Sequence, residues 1–138
     1  VYRAPPGPDA PSPPAPEAAP EQQWDWERTI TPSPVLLFRY SALTFNSHRI
    51  HYDLPYARDV EGYSGLVVHG PLMAALLLDL ADREAGPDAL AEFRFRAVAP
   101  AFADAPLRLL ASVAGKDVAF HVRSAGGHDH VVGSGALR

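Results

Sequence analysis

Two short stretches of this 138-residue chain carry side chains suited to acid–base chemistry. In residues 45–53, FNSHRIHYD, a polar turn holds Asn46, His48 and His51. A neutral imidazole can take or give a proton near neutral pH. An amide beside it can hold a water molecule without competing for that proton. Asn46 and His51, five residues apart around one turn, could between them steer water onto, or off, a carbon next to a carbonyl. The second stretch is His69-Gly70-Pro71. Pro suits the first position of a helix, and a helix start leaves N–H groups unpaired. A glycine there lets a ligand oxygen approach the backbone. Such donors would stabilise a thioester carbonyl as it becomes enolate-like.

Each stretch also has a plainer reading. Asn and His are ordinary turn residues, and on spacing alone the turn is the stronger reading for 46–51. Gly70 could simply mark a helix boundary. His48-x-x-His51 with Asp53 or His69 could offer three metal ligands, but the helical HExxH pattern is absent and no metal is expected. His128 and His130 flank Asp129 in a turn and read as solvated. Arg94 and Arg96 share one face of a strand; Arg96 could meet a phosphate or carboxylate, against the default of a solvated face. Phosphate-loop, dinucleotide and nucleophile-elbow patterns are all missing.

The elements that would position these groups follow from pattern. Residues 1–23 hold eight of the fifteen prolines and read as an extended linker. Trp24 and Trp26 read as packing aromatics at the domain's entry. Residues 35–44, VLLFRYSALT, read as a β-rich strand between Pro34 and the polar turn. A short turn or helix starts at Pro55, and 61–65 form a loop. From Pro71 a helix runs to Gly86, with Pro87 beyond it. Residues 72–78 are apolar on almost every side, as in a buried helix. Residues 91–98 alternate, with Phe93 and Phe95 on one face; strands over 106–114, 117–124 and 129–137 follow, and the four are expected to form a meander. One strand, one long buried helix and four more strands make an α+β fold of the hot-dog kind, a curved antiparallel sheet around one helix. Such a sheet expects a second copy, or a partner half, to complete a pocket.

Composition narrows the function. The net charge is −4, and eleven scattered arginines with one lysine give no basic stripe for nucleic acid. The chain has no Cys, which fits the cytosol. No apolar run reaches the roughly 18 residues of a membrane span, and the N-terminus lacks the pattern of a signal peptide.

FRYSALTFNSHRIHYDLPYA followed by GLVVHGPLMAALLLDLA resembles the MaoC-like hydratase/dehydratase branch of the hot-dog superfamily. Within that branch it is similar to mesaconyl-C4-CoA hydratase-type and 3-hydroxyacyl-thioester dehydratases. The resemblance covers about residues 25–138. It implies reversible hydration of the C2–C3 double bond of a short enoyl-CoA, a mesaconyl-like dicarboxylic one among the candidates. The family's motif sets an acid five residues before a His; the His falls on His51, and Asn46 stands in the acid's place. His51 is then the proton carrier and Asn46 the water holder. The Gly70 N–H polarises the thioester, and His48, Tyr63, His69 and Arg96 line the substrate site. No cofactor is implied, CoA being part of the substrate. Relatives of this branch are commonly double hot-dogs, so the chain is expected to be a C-terminal catalytic half that pairs with a second copy or a separate N-terminal half. The alternatives are a hot-dog thioesterase, for which Asp79 is the available carboxylate, and a non-catalytic acyl-binding module.

Overall fold

The computed structural model describes residue 18 and residues 22–138. The proline-rich stretch read as a linker therefore lies almost wholly outside the described residues. The elements run β1 (Trp26–Ile30), α1 (Pro34–Thr44), a 3₁₀ turn (Arg49–His51), a π-helical turn (Tyr56–Val60), α2 (Gly70–Ala85), β2 (Leu90–Ala97), β3 (Leu107–Ala114), β4 (Asp117–Ser124) and β5 (Asp129–Leu137).

The first strand is not where the pattern expects it. Residues 35–44 belong to helix α1. The Ser33 side chain caps its start by accepting the Leu36 N–H at 3.2 Å, and Pro34 occupies its first turn. Those are the ordinary start signals of a helix. They prevail here over the β-branched and aromatic composition. Leu37 and Ser41, four residues apart, are the buried positions of α1, as the helical period requires. The edge strand is instead β1, whose partner is β3.

The five strands form one antiparallel sheet in the order β1-β3-β4-β5-β2. Only β3, β4 and β5 form the expected meander; β2 crosses to the far side and pairs with β5. Helix α2 lies against the sheet and contributes Leu72, Met73, Leu77, Leu80 and Ala81 to a core completed by Leu109, Phe120, Val122 and Val131. The helix is not buried all round, because the sheet covers one side of it. Pro71, Ala75, Leu78 and Asp82 face outward, a stripe at helical spacing. Gly86, with φ +98°, ends the helix as its C-cap, its N–H donating to the Asp82 carbonyl at 3.1 Å.

The outer face of the sheet has its own polar cluster. The Arg123 guanidinium is buried against Asp129, which also faces the His121 ring, and Trp24 lies over Arg123. Trp24 and Trp26 are thus packing aromatics at the entry to the sheet, Trp26 against Phe120.

Strand β2 sits close on β5 because β5 has glycine where the two backbones meet. A Cβ at Gly133 would lie 2.9 Å from the Arg94 carbonyl oxygen, and one at Gly135 would lie 2.8 Å from that of Glu92. The Phe120 and Phe93 rings fill the space above these glycines. A methyl group at either position must push β2 outward, since backbone cannot rotate aside. Gly133→Ala is expected to destabilise the fold by about 1–3 kcal/mol. Equilibrium urea unfolding checks this, with Gly126→Ala on an exposed turn as the comparison.

Candidate active site

A cleft of about 690 Å³ opens between the start of α2 and the end of β2. Its walls are Val67, Val68, Met73 and residues 97–100, with Tyr63 on one side. His51 and Gly70 both line it. Two residues nineteen positions apart in sequence are therefore brought to one cavity.

Three short backbone segments hold His51 in place. The Val67 N–H donates to the Ile50 carbonyl at 2.9 Å, Val68 N–H to Ala101 O at 2.8 Å, and Ala103 N–H to Leu66 O at 2.9 Å. The 3₁₀ turn, residues 66–68 and residues 101–103 thus form a small ladder beneath the cleft. Ile50, Ala57, Leu66 and Val67 pack as a second apolar cluster around it. On this frame the His51 ring is buried, and its Nδ1 lies 2.7 Å from the Val67 carbonyl oxygen. A carbonyl can only accept, so Nδ1 carries the hydrogen. In the neutral ring Nε2 then holds the lone pair, the form a general base needs. Burial pushes the His51 pKa below its ordinary value. The Val67 carbonyl opposes that shift in part, and the neighbouring His48 adds to it.

His69 is more deeply buried than His51 and stacks on it, ring centroids 3.7 Å apart and planes 18° apart. Its Nε2 is 2.8 Å from the Ser41 hydroxyl of α1, and the Tyr40 ring meets it edge-on at 4.8 Å. Burial, with His51 adjoining, lowers the His69 pKa from 6.5 to about 4. Both rings are therefore neutral at physiological pH.

Gly70 opens α2 directly behind His69. The first N–H groups of a helix have no partner within it, and Pro71 has none to offer. Among the described residues the Gly70 N–H has no hydrogen-bond partner, and Gly70 lines the cleft. A Cβ there would come no nearer than 3.6 Å, to Ala97, so crowding does not require the glycine.

The remaining residues singled out by sequence lie around this centre. Tyr63 lines the cleft. His48 is exposed, its ring edge-on to His51 at 5.7 Å. Asn46 does not line the cleft. Its Oδ1 accepts the His48 backbone N–H at 3.1 Å, and it borders a separate concavity with Phe38, Phe45 and Tyr52. Arg96 is exposed on the outer side of β2 beside Arg94 and Ser134, also outside the cleft. Sequence reasoning missed Ser41, Tyr40, the Val67 carbonyl and the 97–100 wall. A polar Ser41 inside an apolar run was the one available signal; a backbone carbonyl leaves none. Among the described residues no three His, Asp or Glu side chains gather to hold a metal ion. No helix there is long and apolar enough to cross a membrane.

A model of the family described as hydroxyacyl-thioester dehydratase type 2 matches residues 1–103. Mesaconyl-C(4)-CoA hydratase of Chloroflexus aurantiacus is 55% identical over 112 residues, which is 80% of this chain and 39% of that protein. The mitochondrial hydroxyacyl-thioester dehydratase type 2 of Schizosaccharomyces pombe is 38% identical over 102 residues, 72% of this chain and 32% of that protein. Among solved structures, a MaoC-like dehydratase from Phytophthora capsici superposes with a TM-score of 0.75 at 20% identity, over 94% of this chain and 45% of that one. The chain spans less than half the length of each of these relatives.

The two buried imidazoles make stability depend on pH. In the unfolded chain His69 takes up a proton near 6.5, but in the fold only near 4. Its contribution is fully present above pH 6.5 and is lost as pH falls from 6.5 to 4, by about 3 kcal/mol at most. His51 acts in the same direction. Urea unfolding at a series of pH values is expected to show this decline, and the slope to become shallower in His69→Phe.

Proposed function

The chain belongs to the hydroxyacyl-thioester dehydratase type 2 family and has the hot-dog fold, and on that premise we propose that it hydrates, reversibly, the C2–C3 double bond of an enoyl-CoA thioester. The observation that carries the proposal is the His51 tautomer. A buried ring with Nδ1–H fixed on a carbonyl has its basic nitrogen free, in a cleft that also holds a free backbone N–H.

In the hydration direction His51 Nε2 takes a proton from water as the water oxygen bonds to C3. The π electrons move onto the thioester, where the Gly70 N–H stabilises the enolate oxygen. The proton on His51 is then delivered to C2, restoring the carbonyl and the neutral ring. Dehydration is the same path reversed. The thioester itself acidifies the C2 proton, so no cofactor is needed. Asn46 serves through the turn it closes, by holding the backbone of His48, the residue that leads into the 3₁₀ turn. Tyr63 and His48 stand at the side and rim of the cleft, where they can bound the acyl group.

Apart from His51 and Tyr63 the cleft walls are apolar, and neither Arg nor Lys is among the residues that line them. A dicarboxylic acyl group such as mesaconyl would need a counter-charge from beyond this cleft. We place that charge, and the rest of the pocket wall, on a second hot-dog unit, either another copy or a further half. β2 is an uncovered edge strand, and Phe95 and Val98 are exposed on and just past it, beside the cleft. A thioesterase reading would require a carboxylate to activate water. Asp79 is instead held between Arg28 and Arg83, outside the cleft. Asp79→Asn should leave CoA release and hydration unchanged.

The test is loss of enoyl-thioester absorbance with crotonyl-CoA and mesaconyl-C4-CoA. His51→Gln is expected to lower kcat about 10²- to 10⁴-fold. Turnover that survives this change would exclude His51 as the base, and binding without turnover would mark an acyl-binding module. The base must be neutral, and its pKa is depressed. Hydration kcat/KM should therefore stay level from alkaline pH down through neutrality and fall only below the ordinary histidine range. A fall centred above pH 7 would contradict this assignment.

A further inference from the structure

We propose that His69 is a positioning residue for His51: its ring, held by the Ser41 hydroxyl and the Tyr40 edge, is the flat surface that fixes the plane of the His51 imidazole. The inference rests on His51 being the base, and it adds a residue that acts through that base.

The need for it is geometric. The bond from His51 Nδ1–H to the Val67 carbonyl sets where one ring atom points. It leaves the ring free to turn about that bond, which would swing Nε2 away from the reacting atoms. A near-parallel ring at 3.7 Å removes this freedom. His69 is itself immobilised, with 1% of its surface exposed, Ser41 on its Nε2 and Tyr40 against its edge.

The position of His69 in the fold points the same way. It is the N-cap of α2, where Ser, Thr, Asp or Asn usually accepts a backbone N–H. Its side chain makes no capping bond. The chain gives up that stabilisation and places a ring on His51 instead. The nitrogens of His69 cannot explain the choice. Ring lone pairs lie in the ring plane, so a stacked pair cannot pass a proton face to face. The Nδ1 atom of His69 is buried with no hydrogen-bond partner among the described residues. What reaches His51 is the face of the ring.

The groups facing the two rings are His48 from the turn, Tyr40 and Ser41 from α1, and Tyr63 across the cleft. Neither ring has a carboxylate or guanidinium against it among the described residues. A neutral His69 leaves His51 free to become cationic during the reaction, whereas a charged one would oppose it.

The experiment compares His69→Phe, His69→Ala and Ser41→Ala in the full chain, by steady-state kinetics and by NMR titration of the His51 ring. His69→Phe keeps a flat ring but gives up the bond to Ser41, so it should resemble Ser41→Ala and hold kcat and the His51 titration well above the level of His69→Ala. His69→Ala should lower kcat about 10- to 100-fold with little change in KM. Its His51 midpoint should rise toward the ordinary value as solvent reaches the ring. Ser41→Ala should move both readouts in the same direction as His69→Ala but less far. The proposal is overturned if His69→Phe loses as much kcat as His69→Ala, or if His69→Ala leaves kcat and the His51 titration unchanged. Should His69→Ala not fold, His69→Phe decides alone: retained kcat and titration support the proposal, and their loss rejects it. The titration needs no substrate, so absent turnover in the wild type would reject the hydratase reading while the His51 midpoints still test the stack.

Discussion

One hydrogen bond sets the chemistry of this fold, the donation from His51 Nδ1–H to the Val67 carbonyl. It selects the tautomer, turns the basic nitrogen outward and ties the 3₁₀ turn to the strand-like segment before α2. That segment is itself held on both sides, by Ile50 through Val67 N–H and by Ala101 and Ala103 through Val68 N–H and Leu66 O. A buried backbone polar group left unpaired is costly, so these segments have few alternatives to this arrangement. The helix that carries Gly70 begins where the same segment ends. The proposed base and oxyanion donor thus stand on one continuous backbone frame.

Most of the sheet and α2 are legible in sequence because burial there is one-sided and periodic. Val118, Phe120 and Val122 are buried at alternate positions of β4, whereas on β2 Phe93 is half-buried and Phe95 exposed; Gly86 with Pro87 marks the end of α2. The α1 region is illegible for a physical reason. Its solvent side carries Phe38, Leu43 and Phe45, exposed by 60%, 80% and 94%. An apolar outer face erases the contrast that reveals a helical period, and the stretch then resembles a strand. Ser33-Pro34 was the surviving helix signal. Phe45 adds to the difficulty: it ends α1 in the left-handed region at φ 54°, a place where Gly or Asn is usual. The same apolar surface, together with the bare edge of β2, is what a second hot-dog unit would be expected to cover.

The candidate site divides along the same line. His51, Gly70 and Tyr63 are found from residue type and resemblance, since chemistry constrains those types. The Val67 carbonyl and the 97–100 wall are not, because backbone atoms and small apolar residues carry no signature. Asn46 shows the limit of spacing. Five residues separate it from His51, but the intervening turn directs its amide to the His48 backbone and to a neighbouring concavity. His69 shows the converse: sequence makes it a pocket residue, and the fold turns it into the support of another ring.

The absence of a carboxylate partner for His51 among the described residues bears on how one group can serve both directions of a reaction. A carboxylate on Nδ1–H would stabilise the imidazolium and raise the His51 pKa. A carbonyl does so more weakly, and burial works against it. The resulting base is weak, and its conjugate acid is correspondingly strong. In hydration the proton taken from water must be returned to carbon within the same turnover, and a strong conjugate acid favours that second step. Stacking on a neutral ring is consistent with this balance: it fixes the geometry of His51 without adding a charge that would hold the proton on it or keep it off.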